Sequence, residues 1–377
     1  MRRATRSVLL FPASVAFAVA LALLRPRWFT TWGGYDPGGL IVPLIQVIMI
    51  GMGAKLGPAD FVRAARQPAP ILLGMVLHFS VMPAVGWVLA STLPLPAEVA
   101  SGLILVGSCS CGVASNVITY LSGGNVPVAI TLTLCSTLVS PLMTPWLMRL
   151  LAGRLVPVDV PAMMISIINM IVLPVVVGLV THHVLFGGQV WSRRTKPLLG
   201  LAAGAVLAAV GLALNAVHNS APPSELRVGL VLGALFFGGM ALAKWWLNLR
   251  LGRTDDWFER ALPRVSMAAI CLIIAIITAR ARASLLSAGL ALLAGAMVHN
   301  CAGYLFGYWG GRLARLSERD CRTIAVEVGM QNAGMAAGIA MNVLHSANAA
   351  LAAVVFGPWM NISGALIAGW WQRRPTG

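Results

Sequence analysis

Runs of about 20 apolar residues recur from one end of this 377-residue chain to the other, and they leave little room for a water-soluble fold. An apolar helix of roughly 20 residues matches the ~30 Å thickness of a bilayer's hydrocarbon core. Twelve such spans are predicted, near 7–24, 40–56, 68–93, 97–121, 125–152, 160–186, 198–218, 225–249, 263–280, 284–312, 320–344 and 347–371. The second is short, and the eleventh is interrupted by polar residues. Composition agrees, with 58% hydrophobic and only 10% charged residues, where soluble domains carry about 25% charged. The 39 Gly and 22 Pro are tolerated in membrane helices, where neighbouring groups re-satisfy the freed backbone. The longest polar stretch, RLGRTDDWFER (250–260), is a loop in length, and no segment fits a soluble domain.

A net charge of +16 invites a nucleic-acid reading. The basic residues instead sit in short loops between apolar runs, which is the footprint of membrane orientation rather than of a basic binding face. Lipid is the expected surroundings and nucleic acid is excluded as a partner. With a cytoplasmic N-terminus, the clusters at Arg2, Arg3 and Arg6, at Lys55, Arg63 and Arg66, at Arg193, Arg194 and Lys196, at Lys244 through Arg264, at Arg312 through Arg322 and at Arg373 and Arg374 all lie inside. Arg25, Arg27, Arg149, Arg154, Arg227, Arg280 and Arg282 are the minority left outside. The bias predicts an integral protein of a bacterial inner (plasma) membrane, with an even number of spans and both termini cytoplasmic. The N-terminal stretch resembles a signal peptide, but its apolar run of about 18 residues is followed at once by Arg25 and Arg27, which favours a retained first span. The six cysteines show no metal-ligand spacing and read as buried free thiols. Trp245–Trp246 and Trp370–Trp371 sit at span ends as interface anchors. His182 and His183 also fall at a span end, and His299 reads as a hydrogen-bonded histidine of the bundle.

Polar groups inside membrane spans are costly and mark function. Two places stand out. GSCSCGVASN (107–116) interrupts the fourth span with small residues before Ser115 and Asn116. EVGMQNAG (327–334) interrupts the eleventh, with Glu327 as the one carboxylate well inside a span and Gln331 and Asn332 about one turn on. Glycines let a helix unwind. Freed carbonyls and Glu, Gln and Asn side chains then supply the hard oxygens that suit Na⁺, while half-helix N-termini face an anionic substrate. A lone carboxylate could instead carry a proton. The breaks occupy corresponding places. Each lies in the penultimate span of its half, with LHFSVMP (77–83) or VHNCAGY (298–304) before it and a proline-bearing span after it, containing Pro141 and Pro145 or Pro358. Paired interruptions in two halves point to a transporter built from inverted repeats.

At these residues the chain resembles the bile acid:sodium symporter family. GVASNVITYLSGGNVPVAITLTLCSTLVSPLMTP (112–145), EVGMQNAGMAAGIA (327–340) and NISG (361–364) carry the likeness, which covers almost all of 1–187 and 262–371. The resemblance implies an all-α polytopic membrane protein of inverted five-span repeats, with panel and core domains and two broken, crossing helices. A two-span insertion here brings the total to about 12. The implied division is 1–187 (first repeat and the start of the second), 188–261 (inserted hairpin) and 262–377 (the rest of the second repeat). It also implies a first sodium site on Ser115, Asn116, Thr133 and Glu327, with Ala129 where the family has a further serine. A second site falls on Glu327, Gln331 and the carbonyls of Val328 and Met330, with His78 where the family has a glutamine. Substrate contacts fall at Val113, Asn332, Met360 and Asn361; Val113 stands for a threonine and Met360 for a histidine of bile-acid-binding relatives. The implied activity is Na⁺-coupled symport of a small organic anion, bile-acid-like, pantoate or a keto acid, with Na⁺ as coupling ion.

Two other classes are weighed against this. An enzyme needs a nucleophile–base or metal constellation, and the chain has neither GxSxG nor HExxH. A proton-coupled transporter or a channel-like facilitator differs from a sodium symporter in its response to the sodium gradient. The span count makes a direct prediction. In a cysteine-free background, a Ser224→Cys variant should react with an impermeant thiol reagent from outside the cell; labelling from the cytoplasmic side alone overturns both span count and orientation.

Overall fold

The computed structural model describes residues 14–54, 67–186, 194–218, 225–252 and 256–374. The start of the first predicted span and Ser224 lie outside the described residues. Among the described residues the chain is helical throughout, with no strand beyond two isolated bridges. The helices are α1 (Ser14–Leu24), α2 (Ile41–Gly53), α3 (Pro68–Thr92), α4 (Ala97–Ser108), α5 (Ala114–Leu121), α6 (Val126–Ala152), α7 (Val160–Phe186), α8 (Thr195–His218), α9 (Glu225–Lys244), α10 (Asp256–Arg280), α11 (Arg282–Leu313), α12 (Glu318–Gly329), α13 (Ala333–Asn342) and α14 (Ala347–Gln372). Seven of them, α3, α6, α7, α8, α9, α11 and α14, are long and apolar enough to cross a membrane. The predicted spans 97–121 and 320–344 are each two shorter helices, α4 with α5 and α12 with α13. The chain is therefore a polytopic α-helical protein, as its apolar runs require.

Two compact units divide the chain. One comprises 1–42, 58–164 and 270–377; the other comprises 43–57 and 165–269. In the second, α8 and α9 bury Leu198, Ala202 and Ala241 together with Leu185 at the end of α7. The α7 helix carries π-helical turns at Ile168–Val172 and His182–Phe186, and the first of these holds the buried Asn169.

The first unit contains both interrupted spans. Helix starts follow ordinary capping chemistry. The side chain of Asn125 caps α6, Ser317 caps α12, Asn332 caps α13 and Ser346 caps α14. Pro68 opens α3 at a position where its missing N–H costs nothing. Outside the spans, Arg280 donates to Asp36, and that hydrogen bond, with the Gly38 amide, holds the Asp36 carboxyl below the usual carboxylate range.

The half-helices sit against α3 and α11 through glycine. A Cβ on Gly107 of α4 would lie 2.4 Å from the Met82 carbonyl, and one on Gly303 of α11 would lie 2.5 Å from the Gly329 Cα. Backbone on backbone leaves nothing to move aside. Gly303→Ala is expected to destabilise by about 1–3 kcal/mol, read as a fall in detergent melting temperature. Gly369→Ala, where nothing lies within 4 Å, is expected to leave it unchanged.

Candidate functional site

The first unit's interior is organised by two chain breaks that meet. Helix α4 stops at Ser108, Cys109 is extended, and the helix resumes at Ala114. Helix α12 stops at Gly329, Met330 is extended, and the helix resumes at Ala333. The extended segments pair antiparallel around Cys111 and Gln331. The Gly112 amide donates to the Met330 carbonyl at 2.8 Å, and the Asn332 amide donates to the Ser110 carbonyl at 2.8 Å. Glycine is required at 112 because a Cβ there would lie 2.5 Å from the Gln331 carbonyl.

A broken helix leaves its last carbonyls without intrahelical partners, and buried carbonyls must be satisfied. Here side chains do it. Thr144 Oγ1 donates to the Ser108 carbonyl at 2.7 Å, and His78 Nε2 to the Cys109 carbonyl at 2.8 Å. In the other break, Gln331 Nε2 donates to the Val328 carbonyl at 2.8 Å, and Asn300 Nδ2 to the Gly329 carbonyl at 2.8 Å.

The N-terminal ends are tied down as well. The Glu98 carboxylate of α4 accepts from Ser346 Oγ and Asn348 Nδ2, and the Asp320 carboxylate of α12 accepts from Asn125 Nδ2. Each broken helix is thus fastened to the start of the long helix that follows the other.

Glu327 lies one turn before the second break and is fully buried. Ser115 Oγ stands 2.5 Å from its Oε1, and Thr133 Oγ1 stands 2.7 Å from its Oε2. Asn116 Nδ2 donates to Thr133 Oγ1 at 3.3 Å, while the buried Asn116 Oδ1 has no partner. Ala129, one turn before Thr133 on α6, is fully buried and adds no ligand. Among the described residues Glu327 makes no ion pair, and no group of three or more His, Cys, Asp or Glu could hold a metal.

The structure therefore gathers Ser115, Asn116, Thr133 and Glu327 into one oxygen cluster. Gln331 and His78 fall beside the same break. Gln331 Nε2 is 3.5 Å from His78 Nδ1, and Gln331 Oε1 is buried without a partner. Val113 and Asn332 stand where α5 and α13 begin, and the buried Asn332 Nδ2 has no partner. Met360 is buried on α14, with its carbonyl 3.4 Å from Tyr304 OH; Asn361 Nδ2 donates to the Gly357 carbonyl at 2.7 Å. His299 Nε2 donates to the Met82 carbonyl at 2.8 Å, while its buried Nδ1 has no partner. Sequence reasoning passed over Asn300, Thr144 and Ser136, whose Oγ accepts from the Cys111 amide at 3.1 Å. The signal for Asn300 was available, as a carboxamide in an otherwise apolar span beside the matched VHNCAGY motif.

These features define a polytopic helical membrane protein with a polar, oxygen-lined interior. The chain belongs to the sodium bile acid symporter family. The family model, described as Sodium Bile acid symporter family, matches residues 42–220. An uncharacterized sodium-dependent transporter, YocS of Bacillus subtilis, is 30% identical over 360 residues, covering 96% of this chain and 89% of the relative. The chloroplastic probable sodium/metabolite cotransporter BASS2 of Oryza sativa subsp. japonica is 28% identical, covering 97% of this chain and 70% of the relative. The chloroplastic BASS1 of Arabidopsis thaliana, another probable sodium/metabolite cotransporter, is 29% identical, covering 96% and 73%. The family and these relatives are membrane transporters rather than enzymes, and sodium dependence is their shared description.

Proposed function

We propose that this protein is a secondary active transporter that couples Na⁺ to the uptake of a small organic anion across a bacterial inner membrane, with both termini cytoplasmic. The observation that carries the reading is Glu327, a buried carboxylate with no cationic side chain against it among the described residues, set among hydroxyl and amide groups. An uncompensated buried charge is costly, so the site calls for a cation. The carboxylate, hydroxyl and amide oxygens suit a hard monovalent ion, and the Cys111 thiol beside Glu327 is the one soft group against them among the described residues.

The ligands of that ion are Glu327, Ser115 Oγ, Thr133 Oγ1 and the orphaned Asn116 Oδ1. The other candidate set is largely engaged with protein, with Gln331 Oε1 the oxygen left without a partner. The Met330 carbonyl accepts from Gly112, the Val328 carbonyl accepts from Gln331, and His78 is turned to Cys109. With one carboxylate and one open oxygen cluster, one Na⁺ per cycle is the balanced number.

The anion belongs at the breaks. Helices α5 and α13 begin there, and a helix N-terminus favours negative charge. The free Asn332 Nδ2 supplies a donor, Val113 and Met360 supply apolar surface, and Asn361 lies beside them on α14. A bile-acid-like, pantoate or keto-acid carboxylate fits this mixture. The matching treatment of the two breaks supports inverted five-span repeats with about 12 spans in all, the hairpin of α8 and α9 being an insertion into the panel.

Uptake of radiolabelled organic anions into proteoliposomes, with and without a sodium gradient, tests the proposal. Saturable uptake that collapses with the gradient is expected, with a Hill coefficient near one for Na⁺. Glu327→Gln should abolish it. Asn116→Ala should raise the Na⁺ concentration for half-maximal uptake about tenfold, since a ligand to a charged group contributes about 1.5 kcal/mol. Uptake indifferent to Na⁺ but driven by a proton gradient makes Glu327 a proton carrier, and non-saturating uptake makes the protein a channel-like facilitator.

A further inference from the structure

Four carbonyls end the two broken half-helices, and two of them, Cys109 and Gly329, are held by side chains from the long helices that precede each break. The donors are His78 of α3 and Asn300 of α11, each fully buried and each 2.8 Å from its carbonyl. We propose that His78 and Asn300 are a matched pair of positioning residues that cap the negative ends of the half-helices and thereby set the affinity of the cation cluster, with His78 serving as a cap and not as a cation ligand. The proposal rests on the cation reading above.

The chemistry of His78 follows from its partners. A carbonyl only accepts, so Nε2 carries the proton that reaches Cys109. Nδ1 is then a lone pair, and it faces Cys111 Sγ at 3.4 Å and Gln331 Nε2 at 3.5 Å, with the backbone of Glu327 also against the ring. Both side chains are hydrogen-bond donors. The ring is filled on both sides by protein, leaving no free nitrogen for an ion.

Asn300 is fixed in the same way. Its Oδ1 accepts from Ser363 of α14, which orients the amide so that Nδ2 reaches Gly329. Ser363 Oγ also lies 3.2 Å from Tyr304 OH, and that hydroxyl lies 3.4 Å from the Met360 carbonyl. The cap is thus linked to the residue assigned to substrate contact.

The consequence for the cation is local. Gly329 lies two residues after Glu327, and Cys109 lies two residues before Cys111, the centre of the backbone pair. Each half-helix C-terminus carries partial negative charge on its unpaired carbonyls. A donor on that carbonyl removes it as a competing ligand and fixes the end of the helix that presents Glu327. Without the donor, the carbonyl must turn to find a partner, and the Glu327 oxygens move relative to Ser115 and Thr133.

The test measures Na⁺ activation of anion uptake in proteoliposomes and Na⁺-dependent thermal stabilisation in detergent, for His78→Ala, Asn300→Ala, His78→Gln and Asn300→Gln. Each alanine variant should need at least fivefold more Na⁺ for half-maximal response. Each glutamine variant keeps a donor amide and should return to within twofold of wild type, with the Hill coefficient unchanged near one. Alanine variants that fold and respond to Na⁺ as wild type does overturn the proposal. So does His78→Gln with a Hill coefficient rising towards two, which makes position 78 a ligand position. If an alanine variant cannot be purified, its glutamine counterpart decides: wild-type Na⁺ activation supports the cap, and weakened activation overturns it. A wild-type protein indifferent to Na⁺ sinks the cation reading itself. The caps are then judged by melting temperature alone, where glutamine variants no more stable than alanine variants overturn them.

Discussion

Two backbone hydrogen bonds, from Gly112 to Met330 and from Asn332 to Ser110, hold the polar interior of this protein together. They join two chain segments that have each given up helical bonding deep within an apolar bundle. Unpaired backbone at that depth is tolerated only where protein satisfies it. The pair of bonds meets that demand for one donor and one acceptor on each side. The remaining carbonyls are met by Thr144, His78, Gln331 and Asn300. Everything placed near the breaks, including Glu327 with its hydroxyl partners and the starts of α5 and α13, depends on that arrangement.

The treatment of the two breaks is parallel in kind and different in residue. Each has an extended residue after the first half-helix, a side-chain donor from the preceding long helix, and an acidic residue near its N-terminus bound at the cap of the long helix that follows the other break. Yet one break uses histidine where the other uses asparagine, and only the second carries a carboxylate at its last turn. The symmetry is one of backbone need, and the asymmetry is where chemistry enters. Among the described residues a carboxylate stands on one side alone.

Membership of the sodium bile acid symporter family fits this chemistry, because a transporter must bind its ion without holding it permanently. On the proposed reading, hydroxyl and amide oxygens around one carboxylate would bind a hard monovalent cation through many modest contacts. Of the softer groups nearby, the His78 ring is turned to the Cys109 carbonyl, while the Cys111 thiol lies against both His78 Nδ1 and the Glu327 carboxylate.

The sequence by itself determined that this chain is helical and membrane-embedded, because no other structure satisfies the backbone of such long apolar runs in lipid. It also marked where helices give way, since Gly, Ser and Asn at 107–116 and Glu, Gly, Gln and Asn at 327–334 are costly in a span unless used. The interruptions split the runs 97–121 and 320–344 into half-helices, which hydropathy alone, summing over both halves, reads as continuous spans. Only the tertiary structure decided which groups meet. That Thr144 reaches the Ser108 carbonyl, that His78 turns its Nε2 to a carbonyl, and that Asn300 does the same in the other half depend on how distant helices pack. Hydropathy has no term for that, because it assigns each residue a preference for lipid or water and none for a particular partner.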